Sequence, residues 1–390
     1  MNLPSFQHIT PALRLYSGAD SLAQLPRELD RLGARRAVIF CGGSLARQGT
    51  LIDLIKAAIG ERCAGVFSGV KAHSPVPSVE AAARELRHHG ADAVIAVGGG
   101  SAIVTARAAS IVMAENNDAR LLCTTLDASG KLISPKLNAP KIPQLVIPTS
   151  PTTASVKAGS AVFDPVDGKR LALFDPKTRA QAVFLHPDFL ATAPGNMLLG
   201  SGMATFTLAL EGLTSRTGDP ISDALLMHSL RLLAKNLPDL SSHDDPLVRG
   251  ELSMAAILCG QGTDYTGAGI TTVIGHAIGA RHELDNGIVE AVVLPHGQRF
   301  NGEAAKAGLP KVAAALGVTA VDGQYAEGVA QACETLRDAI GAPKRLRDMG
   351  IPQESLGELA DLGMLDWFLR GNPRPVKERA ELLRVIEAAW

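Results

Sequence analysis

Between residues 36 and 150 the chain alternates continuous apolar runs with helical patterns, and few folds accommodate that alternation. "RAVIFCGG" (36–43) is an apolar run closed by glycines, and a helical period follows through "LIDLIKAAIG". "CAGVFSGV" (63–70) reads as a second strand and "SVEAAARELRHHG" (78–90) as an amphipathic helix stopped by Gly90. "ADAVIAVGGGS" (91–101) and "PQLVIPTS" (143–150) supply two more strands. Strands without polar alternation are buried on both faces. Separated by helices, they define a parallel α/β sheet of Rossmann-like type.

The pattern changes after residue 158. Two short strands around Asp167-Gly168 read as a hairpin, and "AQAVFLHP" (180–187) reads as a last sheet strand. Beyond Pro187 the periods are helical and broken by Gly and Pro: 196–217, 220–237, 246–262, 266–280, 305–317, 324–340 and 376–389. A chain of 390 residues is long for one core, so two domains are expected: 1–187 α/β and 188–390 all-helical. The net charge of −1 gives no basic footprint for nucleic acid. The N-terminal stretch "MNLPSFQHIT" has neither the basic nor the apolar region of a leader, and apolar runs are interrupted short of a membrane span. Five scattered cysteines suit reduced thiols, so a cytoplasmic protein is expected.

"AVGGGSAIVTARAAS" (96–110) places three glycines and a serine between a buried strand and a helix. There a backbone without side chains can approach a pyrophosphate, and the helix start offers amide donors. The same turn also serves plain packing. It is not a G-x-G-x-x-G motif, and it follows the third strand.

With "IPTSPTTAS" (147–155), "GM" and its helix (202–211), "GHAIGA" (275–280) and "NGIVEAVVLPHGQRFN" (286–301), this order of motifs resembles the iron-containing alcohol dehydrogenase family over nearly the whole chain. The resemblance implies a dehydroquinate synthase-like fold, NAD(P) in a cleft between the two domains, and a homodimer formed through the α/β edge. It places Gly98, Gly99, Gly100 and Ser101 at the pyrophosphate, and Thr149, Thr152 and Thr153 near the adenine and ribose phosphates. NAD-preferring relatives carry an Asp near the first glycine of "FCGGSLARQG" (40–49). Here Gly42, Gly43 and Ser44 stand, with Arg47 able to pair with a 2′-phosphate, so NADP is expected and NAD remains possible.

The departures from the family are as informative. Val104 and Arg107 replace an Asp and a Lys after the glycine turn. Relatives bind Fe²⁺ or Zn²⁺ through an Asp and a His four residues apart on one helix face and two later His. The corresponding places here are Ala204, Leu208, Thr272 and Asn286, all poor ligands for a divalent ion, so no metal is expected. His276 matches a family histidine beside the nicotinamide; as a plain packing histidine it is equally at home in this apolar helix. His282 is a candidate helper or a solvated helix end, and His296 reads as a helix-terminus or loop contact. His8, His73, His88, His89, His228 and His243 have no motif context.

Two readings follow. In one, the chain is a metal-independent NAD(P)-dependent reductase in which His276, with Asn286, Thr272 or His282, replaces the Lewis acid. Maleylacetate reductases, which "VFSGVKAHSPVPSVEAAA" (66–83) also resembles, set a precedent, though they keep histidines that this chain lacks. In the other, the chain is a non-redox descendant: a lyase, an isomerase or a catalytically silent accessory protein.

Overall fold

The computed structural model of the chain describes residues 5–127, 132–241, 245–319 and 323–390. It divides into two compact units, Pro11–Ala193 and Pro194–Trp390, the second joined by the described part of Met1–Thr10.

The first unit holds six parallel strands: β1 (Arg14–Ser17), β2 (Ala37–Gly42), β3 (Cys63–Val70), β4 (Ala93–Gly98), β5 (Gln144–Pro148) and β6 (Ala180–Leu185). Their order across the sheet is β1-β6-β5-β4-β2-β3. Central strands are buried on both faces, as their unbroken apolar runs require: Ile39 and Phe40, Ile95 and Ala96, Leu145 and Val146 are all 0% exposed. β1 escapes the sequence reading because "RLYS" is a short edge strand, exposed at both ends, that pairs only with β6. The expected hairpin forms from Gly159–Asp164 and Lys169–Phe174, with Gly168 at a φ of +64° in the turn. Between β4 and β5 runs α1 (Gly100–Glu115), apolar around most of its circumference.

The division between units lies later than the expected 187. Pro187 opens a four-residue helix, and its Phe189 is fully buried in the sheet's own apolar core beside Phe184 and Ile147. Sequence reading ended the unit at the last strand; packing carries it one short helix further.

The second unit is helical throughout its described residues. α2 (Gly195–Thr214), α3 (Ile270–His282) and α4 (Asn286–Asn301) carry the residues that matter below. Helices Pro220–Asn236, Pro246–Gly262, Leu309–Leu316, Tyr325–Ala339, Leu356–Met364 and Arg379–Ala389 complete it. α3 and α4 share a core of Ile270, Val273, Ile274, Val289, Val292 and Val293 with the last helices of the chain. By length and a mean hydropathy of 1.2, α2 is apolar enough to cross a membrane, contrary to the sequence reading. Its apolar window is 72% buried inside the unit, which accounts for that composition.

The chain's start is tied into this second unit. His8 Nδ1 lies 3.0 Å from Asp219 Oδ2, and the Tyr265 hydroxyl accepts from Ile9 N at 2.8 Å. Asp219 also caps the helix that begins at Pro220, accepting from Ile221 N and Ser222 N.

Candidate functional site

In the α/β unit the ten residues expected to hold a dinucleotide fall on three turns, all following the C-terminal ends of adjacent strands β2, β4 and β5. Gly42 ends β2, and Gly43 and Ser44 open the short helix Gly43–Arg47. Its cap position is Gly42, so the exposed Ser44 caps nothing, and an Arg47 guanidinium nitrogen lies 3.5 Å from where a Gly43 Cβ would be. Gly98 ends β4 at a φ of +141°, a conformation closed to other residues, and turns the chain into α1 with Gly99 at the cap. Thr149 N donates to Gly98 O at 3.1 Å, which locks the β5 turn to the glycines. A Cβ at Gly99 would lie 3.2 Å from Ser150 Oγ, and one at Gly100 would lie 3.2 Å from Thr152 Oγ1. Two bare glycines facing hydroxyls at the start of a sixteen-residue helix make a cradle that side chains would fill, and a pyrophosphate fits it. Ser101 Oγ accepts from His73 N at 3.1 Å, so this hydroxyl also anchors the neighbouring turn. Thr153 opens the turn Thr153–Ser155.

Arg107, in place of the family's Lys, is fully buried on α1 and donates to the carbonyls of Ala154 and Gly159. Burial and the charge of Arg179 pull its pKa down to about 9, which leaves it charged at neutral pH. It buckles the end of the threonine turn to the helix.

In the helical unit, α2, α3 and α4 approach closely because glycines line the contacts. A Cβ at Gly287 would fall 2.8 Å from Ala204 N, and one at Gly200 would fall 2.2 Å from Asp285 Oδ1. Asn286 Oδ1 occupies the place of a Gly279 Cβ. Thr272 Oγ1 donates to Glu211 Oε2 at 2.7 Å. These contacts gather the four places where relatives hold metal. Ala204 and Leu208 are half-buried and offer no donor atom, Thr272 gives its hydroxyl proton to Glu211, and Asn286 packs against backbone. This donor set does not fit a divalent ion, and among the described residues no group of three or more His, Cys, Asp or Glu could hold one.

His276 lies one turn beyond Thr272 on the same face of α3. Its Nδ1 is 2.7 Å from Asp366 Oδ2, and its ring rests 5.6 Å from that of Phe368. Asp366 thus orients the ring and directs Nε2 as the other proton site. His282 is six residues on, roughly 240° around the helix, so α3 does not bring it to His276. Its Nε2 is buried without a hydrogen-bond partner among the described residues. His296 lies inside α4 behind Pro295, not at a terminus as expected. Burial together with Arg299 and Arg345 lowers its pKa to about 4. His243 lies outside the described residues.

Sequence reading missed Asp366, Glu211 and Glu290. Asp366 sits ninety residues from its partner in a stretch with no motif. Glu290 did leave a signal, as the one acid inside the otherwise apolar helix 288–295.

A parallel sheet with a glycine-rich turn at its carboxyl edge, followed in sequence by a unit that is helical throughout its described residues, is a two-unit α/β-plus-α architecture. Residues 11–187 match the family described as iron-containing alcohol dehydrogenase, and residues 199–390 match its C-terminal domain; the chain belongs to this family. Lactaldehyde reductase of Escherichia coli K12 is 26% identical over 96% of this chain and 97% of its own length. Maleylacetate reductase 2 of Cupriavidus pinatubonensis is 29% identical over 98% and 96%. In structure, the sulfoacetaldehyde reductase of Bifidobacterium kashiwanohense, solved with NAD⁺, aligns with a TM-score of 0.86 at 19% identity, over 99% of both chains.

Proposed function

We propose that this chain is an NAD(P)H-dependent reductase that works on a carbonyl or activated double bond of a small molecule without a catalytic metal. The observation that carries the reading is an asymmetry between the two units. The Gly99–Gly100 cradle is intact, while the four metal places hold Ala204, Leu208, Thr272 and Asn286. Gly98 to Ser101 and the threonine turn would hold the dinucleotide, which supplies a hydride when bound. Arg47, Ser44 and the absence of a carboxylate at Gly42 favour the 2′-phosphate form.

Without a Lewis acid, a reacting oxygen needs a hydrogen-bond donor in its place. His276 meets that need at Nε2, with Asp366 stabilising the imidazolium through Nδ1. Thr272 has one hydroxyl proton, and Glu211 accepts it, so Thr272 serves as an acceptor. Asn286, packed on Gly279, shapes the site.

Titration of the purified protein with NADPH and NADH, followed by nicotinamide fluorescence, tests the reading alongside metal analysis. NADPH binding with no stoichiometric iron or zinc supports it. Failure to bind either nucleotide overturns it in favour of a non-redox lyase, isomerase or accessory role. Stoichiometric metal that is needed for activity overturns the metal-free part.

A further inference from the structure

Glu290 projects from α4 into the space between α2 and α3, where it is 2% exposed. The room it occupies exists because position 275 is glycine: a Cβ there would lie 2.6 Å from Glu290 Cγ and 2.8 Å from Oε1. Its Oε2 makes no well-formed hydrogen bond among the described residues, and the one donor that faces the carboxyl is the hydroxyl of Thr207. The charged groups that bear on it are Glu211 from α2 and Asp285 from the turn before α4, both of its own sign. α3 meets it with Gly275, and Arg299, further along α4, is engaged by Glu327 and Glu334 of the helix Tyr325–Ala339. Among the described residues no cation pairs with it.

Glu211, 1% exposed, is provided for differently. It accepts from Gly269 N at 2.7 Å, Thr271 N at 2.8 Å and Thr272 Oγ1 at 2.7 Å. Burial raises its pKa above the usual 4.5, and these donors pull back towards the charged form. Burial and like charge disfavour ionising both carboxyls, and the three donors make Glu211 the better seat for the charge, against the single facing hydroxyl at Glu290. That distribution has a consequence for α3. Its first amides are tied by side chains from elsewhere in the chain, Gly269 and Thr271 by Glu211 and Ile270 by Asn372. Glu211 therefore pins the turn that leads into Thr272 and His276.

We infer that Glu290 is a resident neutral acid and a positioning residue: its proton lets the Glu211 carboxylate stay buried, and Glu211 holds the first turn of α3 and with it His276. The role of His276 rests on the reading above, but the Glu290 proton does not, so the two fail separately. Burial and the neighbouring carboxylates hold the Glu290 pKa well above its usual 4.5. A raised folded pKa gives stability that is complete below the unfolded value and falls as pH rises towards the folded one. The cost of ionising Glu290 therefore accumulates between those two values and is complete once the folded carboxyl has ionised.

The test uses the full chain and its Glu290→Gln variant, which is neutral at every pH. The infrared difference spectrum of the two at neutral pH should show a protonated carboxyl carbonyl band in the wild type, and that band should fade as pH rises. Hydrogen exchange of the segment 269–273, corrected for intrinsic pH dependence, should lose protection over the same range in the wild type and keep it in the variant. The unfolding constant of the wild type should rise relative to the variant by up to about tenfold per pH unit between the usual carboxyl range and the pH at which the band fades, and level off above it. If the variant does not fold, the wild-type infrared titration alone decides. Absence of the band at neutral pH, or the same alkaline loss of protection in both proteins, overturns the inference.

Discussion

His276 Nδ1 is held 2.7 Å from Asp366 Oδ2, across ninety residues of sequence, and the pair makes the ring's orientation a property of two distant segments. A carboxylate there fixes the neutral tautomer with the proton on Nδ1 and favours the imidazolium. Asp366→Asn should reduce turnover by on the order of 100-fold, with little change in nucleotide affinity, and should move the alkaline limb of the pH–rate profile, where the donor loses its proton, to lower pH. Steady-state kinetics across pH, paired with a nucleotide titration, measures both. Unchanged turnover would remove His276 from the reaction.

Arg47 lies against Gly43 at the end of β2, where NAD-preferring relatives carry an acid. A charge-assisted contact to a phosphate contributes about 1.5–3 kcal/mol. Arg47→Ala should therefore weaken NADPH by roughly 10- to 100-fold and leave NADH nearly unchanged. Dissociation constants of both nucleotides for both proteins check the selectivity.

His296 makes the protein sensitive to acid. Its folded pKa, lowered to about 4 from 6.5 by burial and two nearby arginines, means that the folded state binds fewer protons than the unfolded state between those values. Stability is complete above the unfolded pKa and is lost as pH falls through that window, by an amount on the order of 3 kcal/mol. His296→Gln should flatten this acid limb in urea unfolding curves measured from pH 7 to pH 4.

The fold was largely legible in the residues because its sheet is buried on both faces, and such strands announce themselves as unbroken apolar runs. β1 did not, since an edge strand of four residues has one neighbour and little burial to encode. The candidate cofactor turns show in the sequence as local glycine patterns. The reaction site was legible mainly by what it lacks: Ala204 and Leu208 stand out only against relatives. Asp366 and Glu211 act through contacts that join segments far apart in sequence, and no local pattern encodes those. Glu290 was visible as a lone acid in an apolar helix, but its burial and its missing partner belong to the packing of three helices.

The bond between His8 and Asp219 spans 211 residues, and that between Ile9 and Tyr265 spans 256. Because these early residues belong to the helical unit, the α/β unit is an insertion within it. At about 5–20 residues per second, synthesis delivers Asp219 roughly 10–40 seconds after His8. The sheet unit has all its strands in hand before the helical unit has received any of its helices. His8 and Ile9 can therefore take their places only after the whole α/β unit has been made.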